Sequence, residues 1–243
     1  MGAIYFASDL HMTTAESDTF GLFVDFCGQV AADGRALYLL GDVFEAYVGD
    51  DDDAPLVAAV VRALRRLTEV GVEVAFMHGN RDFLVGRDFA ACCGARLLGD
   101  EELIAPGARR LALLHGDTLC TDDVKYQTAR RQLRDPAWQA QFLAQPLSSR
   151  RMFAAQARAE STAHTAMATA EIMDVNASAV DAVLARTGAD WIIHGHTHRP
   201  GVHELNAGRR RIVLGDWPRA ASWLRVDGDR IELHFEERVL AFA

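Results

Sequence analysis

Apolar residues cluster along this chain at two different spacings. Short unbroken runs at residues 4–7, 36–40, 72–77, 111–114 and 191–193 read as parallel strands buried on both faces. Residues 19–32 repeat Phe20, Phe23, Val24 and Cys27 at helical spacing. Residues 55–70 do the same with Leu56, Val60, Ala63, Leu64 and Leu67; Pro55 suits the first turn and Gly71 the stop. This alternation predicts right-handed βαβ units, hence an α/β fold. From residue 122 to about 186 no strand pattern survives. Composition shifts to Ala, Arg, Gln, Ser and Thr, with breaks near Pro136 and Pro146, so several helices are expected. The last of them, near residues 174–186, should pack on the sheet. Past Pro200, β-patterned runs at 202–205, 211–214, 222–226 and 230–235 are punctuated by Asn206-Ala207-Gly208 and Asp227-Gly228-Asp229. With 243 residues, half of them apolar, we expect one domain spanning 1–243 with helices 122–170 inserted over the sheet.

Charge narrows the function classes. The formal net charge is -9, which disfavours nonspecific binding to nucleic acid. Lys125 is the only lysine, so nearly all positive charge is arginine. The four cysteines, Cys27, Cys92, Cys93 and Cys120, form no C-x-x-C pair and read as free thiols of a reducing compartment. No secretory leader is expected from the first residues, and no apolar stretch is long enough to span a membrane.

The chemistry sits directly after the five apolar runs. The segments are Asp9-Leu10-His11, Gly41-Asp42, Gly79-Asn80-Arg81-Asp82, His115-Gly116-Asp117 and His194-Gly195-His196-Thr197-His198. Ligands of an open α/β sheet bind at the carboxyl ends of its strands. Asp9 with His11, Asp42, or Asn80 alone reads as a turn or a surface polar pair, whereas His196 and His198 together already favour a metal. Five together read as a site for two divalent cations. Asp9 and His11 alternate around Leu10, so as strand residues they would face one way, and Gly195 permits close backbone approach. Two cations a few ångströms apart need a bridging carboxylate, for which Asp42 lies centrally. Carboxylate, amide and imidazole donors without thiolate suit Mn²⁺ best, then Fe²⁺ or Zn²⁺, and activate water at neutral pH.

These segments, in this order, resemble the calcineurin-like metallophosphoesterases. The resemblance implies a core of β-sheets in a sandwich flanked by helices. It also implies one metal held by Asp9, His11, Asp42 and His198, and another held by Asp42, Asn80, His115 and His196. One departure is informative. The usual Gly-Asn-His-Asp segment supplies an acid histidine where Arg81 stands here. Arginine cannot act as a general acid at pH 7, but it can clamp phosphate oxygens. A phosphate leaving group, with a second pKa of about 6, needs no acid. Arg81 therefore favours diphosphate cleavage, or else serves as a structural ion-pair partner.

Longer strings sharpen the match. Gly41-Asp42-Val43-Phe44-Glu45-Ala46, Gly79-Asn80-Arg81-Asp82-Phe83-Leu84, Thr118-Leu119-Cys120-Thr121-Asp122-Asp123 and Ile172-Met173-Asp174-Val175-Asn176 look like the UDP-2,3-diacylglucosamine pyrophosphohydrolase family of lipid A biosynthesis. That resemblance implies a hydrolase releasing UMP and the diacylated sugar 1-phosphate, by water attack on the uridine-side phosphorus. Asp42, Arg81 and His196 would be catalytic. It implies substrate contacts from Asn80, Arg81, Asp123, Ser161 and His196; Asp123 reads equally as a helix cap. The helical insertion would be a lid, with Leu133, Trp138, Phe142, Leu147, Met152 and Phe153 lining an acyl slot or simply packing. Lysines common in similar proteins after Ser161 are replaced by Thr162, His164, Thr165, Ala168 and Thr169, with Arg158 the nearest substitute. Such a substrate implies peripheral contact with the anionic cytoplasmic face of the inner membrane. Arg130, Arg131, Arg134, Arg150, Arg151 and Arg158 are candidates for that basic face. Three groups remain open. Glu45 with Asp50, Asp51, Asp52 and Asp53 reads as a solvated loop or an extra metal site. His78 and His194 read as ligand-orienting or packing groups, and His203 and His234 as structural. A soluble-nucleotide or phosphodiester hydrolase is the alternative function. A non-catalytic scaffold would have lost ligands, and all seven are present.

Overall fold

The computed structural model describes residues 2–167 and 174–242, with side chains given outside 162–173. In chain order the elements are β1 (Ala3–Ala7), α1 (Asp18–Asp33), β2 (Gly34–Leu39), α2 (Pro55–Glu69), β3 (Glu73–Phe76), α3 (Arg87–Cys93), β4 (Arg96–Leu97), β5 (Glu101–Ile104) and β6 (Leu111–Leu114). Then follow α4 (Val124–Leu133), α5 (Pro136–Leu143), α6 (Leu147–Met167), α7 (Ala177–Thr187), β7 (Trp191–His194), β8 (Gly201–Glu204), β9 (Arg210–Val213), β10 (Trp223–Asp227), β11 (Arg230–Phe235) and β12 (Arg238–Phe242). Helix starts follow local chemistry. The Ser17 hydroxyl caps α1 by accepting from Phe20 N, and Pro55 occupies the first turn of α2. Gly71, at φ +88, turns the chain out of α2 into β3.

The strands form two sheets, the sandwich that the family resemblance implied. The larger runs β12-β11-β10-β1-β2-β3-β4 and the smaller β5-β6-β7-β9-β8. The five apolar runs are therefore split. β1, β2 and β3 are mutually parallel in the larger sheet, and β6 and β7 are parallel in the smaller. A single open sheet is not the frame; two stacked sheets bring their carboxyl ends to one edge. Both faces of β1 are covered, which explains its unbroken apolar run. Tyr5 and Ala7 face α1 and α2 with Phe23, Phe26, Val60 and Leu64. Ile4 and Phe6 face the other sheet with Leu111, Leu113, Trp191 and Ile193. As expected, α7 packs on the sheet, placing Val180, Val183 and Leu184 against Ala112, Leu114 and Ile192.

The sequence pattern misses four elements. α3 has only 7 residues, β4 only 2, and β5 and β12 are edge strands with partly exposed faces. Such elements carry little apolar periodicity. Ile172 and Met173 lie outside the described residues.

Candidate metal centre

All seven expected ligand residues meet where the loops after β1, β2, β3, β6 and β7 converge. The backbone there is unusual. Asp9, His11, Asp42, His196 and His198 have φ of 56, 48, 54, 65 and 56°. Non-glycine residues rarely adopt this left-handed region, and it costs on the order of 1–2 kcal/mol per residue. β1 stops at Ala7, so strand alternation is not what aims Asp9 and His11 together; left-handed turns are. Two glycines make room. A Cβ on Gly195 would overlap the Asp9 carboxylate, and one on Gly79 would overlap that of Asp42.

The donors fall into two groups around buried carboxylates. In one, His198 Nε2 lies 3.3 Å from Asp9 Oδ1, and His11 Nε2 lies 3.3 Å from His198 Nε2 and 3.8 Å from Asp42 Oδ2. In the other, His115 Nε2 lies 3.8 Å from Asp42 Oδ2 and 3.1 Å from Asn80 Oδ1, and His196 Nδ1 lies 2.9 Å from Asn80 Oδ1. Asp42 borders both groups, as a bridging ligand must, and Asp9 also reaches into the second.

Tautomers argue that these donors suit a cation. His115 Nδ1 donates to Leu40 O at 2.8 Å, so in the neutral ring Nε2 carries a lone pair aimed at acceptors. Lone pairs that converge on one point fit a metal ion. Proton affinities reflect the same crowding of donors. Burial disfavours the His11 imidazolium, but the bond to Glu45 and the carboxylates of Asp42 and Asp9 push it up to about 9. His115 is raised too, because Asp42 and Asp9 outweigh its burial. Burial and then the His115 charge push His196 down to about 4. Burial would raise the Asp9 carboxyl, yet His198, His115 and His11 hold it well below the carboxylate range.

Neighbouring groups hold this frame. Asp82, fully buried, accepts from the backbone of Asp42, Val43 and Gly79, tying the second loop to the third. Burial and the nearby Asp42 charge raise its pKa. Asp9 accepts from Ser8 Oγ at 2.6 Å and from His196 N. Glu45 Oε2 takes His11 Nδ1 at 2.8 Å. Asp117 accepts from Tyr126 at 2.7 Å and Arg130 at 2.6 Å, and the Tyr126 ring lies 5.7 Å from that of His196. His194 is fully buried between Gly195 O and Arg211, and supports the loop rather than a metal. Burial and then the Arg211 charge push its pKa down to about 3, so it is neutral. His78 bonds Val85 O at 2.7 Å, the packing alternative.

Residues 2–200 match the calcineurin-like phosphoesterase family model. The chain belongs to this family. Relatives from Stenotrophomonas maltophilia (strain K279a) and Serratia proteamaculans are 50% and 46% identical, covering 91% and 94% of this chain and 94% and 96% of their own. Both carry the name UDP-2,3-diacylglucosamine hydrolase. Among solved structures, Vps29 of Cryptosporidium parvum aligns with TM-score 0.51 at 12% identity, covering 99% of this chain and 95% of its own. A Vps29 variant from Entamoeba histolytica gives 0.50 at 13%, covering 99% of each. These two likenesses concern the fold.

Beside the calcineurin-like metal loops lies a cavity of about 490 Å³. Its polar end holds Asn80, Arg81, Glu45 and Ser161, and its apolar end Leu133, Trp138, Phe142 and Phe153. Trp138 stacks on Phe142 at 5.0 Å, and Phe153 meets Phe142 edge-on at 5.2 Å. Of the six expected slot residues, Leu147 and Met152 do not line it; Met152 is 71% exposed. Arg81 Nη2 donates to Ser161 Oγ at 3.0 Å, and Arg81 N donates to Asp42 Oδ1 at 2.8 Å. Two residues 80 positions apart thus meet at the metal loops. Asp123 caps α4, accepting from Tyr126 N at 2.9 Å, and does not line the cavity. The side chains of Thr162, His164 and Thr165 and the placement of Ala168 and Thr169 lie outside the description.

The basic face does not form as expected. Arg150 is only 2% exposed and is held by Asp51, Val48 O and Gln145 O. Arg151 pairs with Asp52 and Asp53, Arg130 with Asp117 and Asp100, Arg134 with Asp100, and Arg158 with Glu45. In the acidic loop Asp50 and Asp52 are half-buried, while Asp51 and Asp53 stay exposed, in keeping with a solvated loop. Asp50 accepts from Gly86 N, Asp88 N and Phe89 N at the start of α3, while Asp51, Asp52 and Asp53 anchor α6. Sequence reasoning missed Asp82, Asp117, Tyr126 and Arg130 as supports. The only signal was that Asp82 and Asp117 sit inside ligand strings.

Proposed function

We propose that this enzyme hydrolyses the diphosphate of UDP-2,3-diacylglucosamine to UMP and 2,3-diacylglucosamine 1-phosphate, in lipid A biosynthesis. One observation carries the reading: a cavity lined by Arg81 and the metal-loop residue Asn80 together with an aromatic, apolar group, Trp138, Phe142 and Phe153. A diphosphate joined to acyl chains has the same polarity. The names of the relatives agree with it.

Asp9, His11, Asp42 and His198 would hold one divalent cation, and Asp42, Asn80, His115 and His196 a second, with Mn²⁺ preferred by the oxygen and nitrogen donor set. Such a pair, when bound, supplies Lewis-acid polarisation of a phosphoryl oxygen and water activation at neutral pH. The chain does the rest. Arg81, steered by Ser161, clamps phosphate oxygens and offsets charge developing in the transition state. Arg81 cannot give up a proton at pH 7, and a departing sugar phosphate needs no acid. Asn80 borders the same end, and His196 lies next to it, its Nδ1 2.9 Å from Asn80 Oδ1. Asp123 enters the substrate set on the family resemblance, since its carboxylate already caps α4. The helices of residues 122–170 act as a lid, with Leu133, Trp138, Phe142 and Phe153 receiving acyl chain.

No described helix is long and apolar enough to cross a membrane. Contact with the inner-membrane surface is peripheral and runs through exposed apolar groups beside the cavity, Met152 and Phe153, rather than a free arginine face. The test is UMP release from UDP-2,3-diacylglucosamine with Mn²⁺, stopped by EDTA and lost in Arg81→Ala. Equal turnover of soluble dinucleotides, without preference for the acylated substrate, would overturn the reading.

A further inference from the structure

The chain of contacts from α6 to His11 has no role in the reading above. The Glu45 loop is locked to the His11 loop by backbone: Met12 N donates to Val43 O at 3.1 Å, and Glu45 N donates to Met12 O at 3.0 Å. Glu45 therefore has little freedom at its Cα. Its Oε2 takes His11 Nδ1 at 2.8 Å, which fixes the ring so that Nε2 points at Asp9 and Asp42. Its Oε1 is cut off from solvent, and the guanidinium Nε of Arg158 is the ion-pair partner beside it. Arg158 stands on α6, 113 positions downstream. One turn further on, Ser161 holds Arg81. A single face of α6 thus touches a metal-loop carboxylate and the phosphate-clamping arginine.

We propose that Arg158 is a positioning residue for the metal centre: through Glu45 it holds His11 in its ligating orientation, so that the seating of α6 over the cavity and divalent-cation affinity are coupled. The physical reason is the burial of Oε1. A carboxylate oxygen shielded from water needs a partner. Without the guanidinium, Glu45 must rotate toward solvent or draw water in, and either response loosens its hold on His11. Partners of ligating histidines commonly cost 10–100-fold in metal affinity when removed.

The inference rests on His11 being a metal ligand, and the experiment separates the two failures. Mn²⁺ is titrated into apo-protein without substrate, with free Mn²⁺ read by electron paramagnetic resonance. This isolates the metal from any contact between Arg158 and substrate. Arg158→Met should weaken one Mn²⁺ site on the order of tenfold, and Arg158→Lys should recover part of that loss. Arg151→Met loosens the base of the same helix without touching Glu45, and should leave affinity as in the parent. His11→Ala should abolish that site. Parental affinity in Arg158→Met alongside a lost site in His11→Ala overturns the inference. Equal weakening in Arg151→Met also overturns it, by showing a general effect of the helix. An unchanged His11→Ala overturns the metal assignment beneath it.

Discussion

Arg150→Met tests whether α6 is held to the body of the protein by one buried cation. The guanidinium donates to Val48 O at 2.6 Å, to Gln145 O at 3.0 Å and to both oxygens of Asp51. These partners differ in value. The Asp51 carboxylate is 65% exposed, so water replaces the arginine there at small cost. Gln145 is also exposed and regains a water. Val48 is 3% exposed, and its carbonyl would be left unsatisfied, at about 1–3 kcal/mol. Loss of the charge-assisted bond itself adds about 1.5–3 kcal/mol. Methionine fills much of the stem's volume, so cavity terms stay small. The sum is about 2.5–6 kcal/mol, which for a chain of this size lowers Tm by about 5–24 °C. Arg151→Met breaks an exposed pair and should cost under about 1 kcal/mol. Differential scanning calorimetry measures the global effect, and hydrogen exchange over Leu147–Met167 detects local release of the helix. If Arg150→Met changes neither, the reasoning from burial is refuted.

Three further outcomes follow from the same geometry. His194 is buried neutral, its pKa pushed from 6.5 down to about 3; an unfolded chain binds that proton more readily, so stability is full above about pH 6.5 and falls as pH drops toward 3. Unfolding free energies from urea melts between pH 7 and 4 should decline by up to about a few kcal/mol, and less steeply in His194→Gln. Burial pushes the Cys27 and Cys120 thiols up to about 12 and raises Cys93, while Cys92 is exposed; Ellman's reagent should count one thiol in the native protein and four in denaturant. Gly195→Ala forces a Cβ into the Asp9 carboxylate, so UMP release should drop on the order of 100-fold, the usual result of an ångström-scale misplacement.

The parts of the site legible in sequence were those that chemistry fixes locally. Asp9, His11, Asp42, Asn80, His115, His196 and His198 each follow an apolar run, and burial of those runs on both faces required strands. The partition of the runs between two sheets was not legible, because an apolar strand looks the same in either. The supports were hidden for a different reason. Arg150 and Asp51 lie 99 positions apart, and Arg158 and Glu45 113; charges in separate segments read as solvent-facing until the fold pairs them. Five of the six arginines considered for a membrane face are paired with such distant carboxylates.

The left-handed backbone explains why the centre needs these supports. Asp9, His11, Asp42, His196 and His198 each occupy a conformation that an isolated chain would leave. What retains it is the set of bonds around each residue. Asp82 gathers the amides of Asp42, Val43 and Gly79, Asp9 gathers those of His196, and Glu45 steadies His11. The same arrangement ties the polar end of the cavity to the metals: Arg81 gives its amide to Asp42 and its guanidinium to Ser161. A shift of α6 moves Ser161 and Arg158 together, so phosphate clamp and metal ligand respond to one helix. An amphipathic substrate filling the apolar end would press on that helix, which is the route by which the proposed acyl chains would reach the phosphorus chemistry.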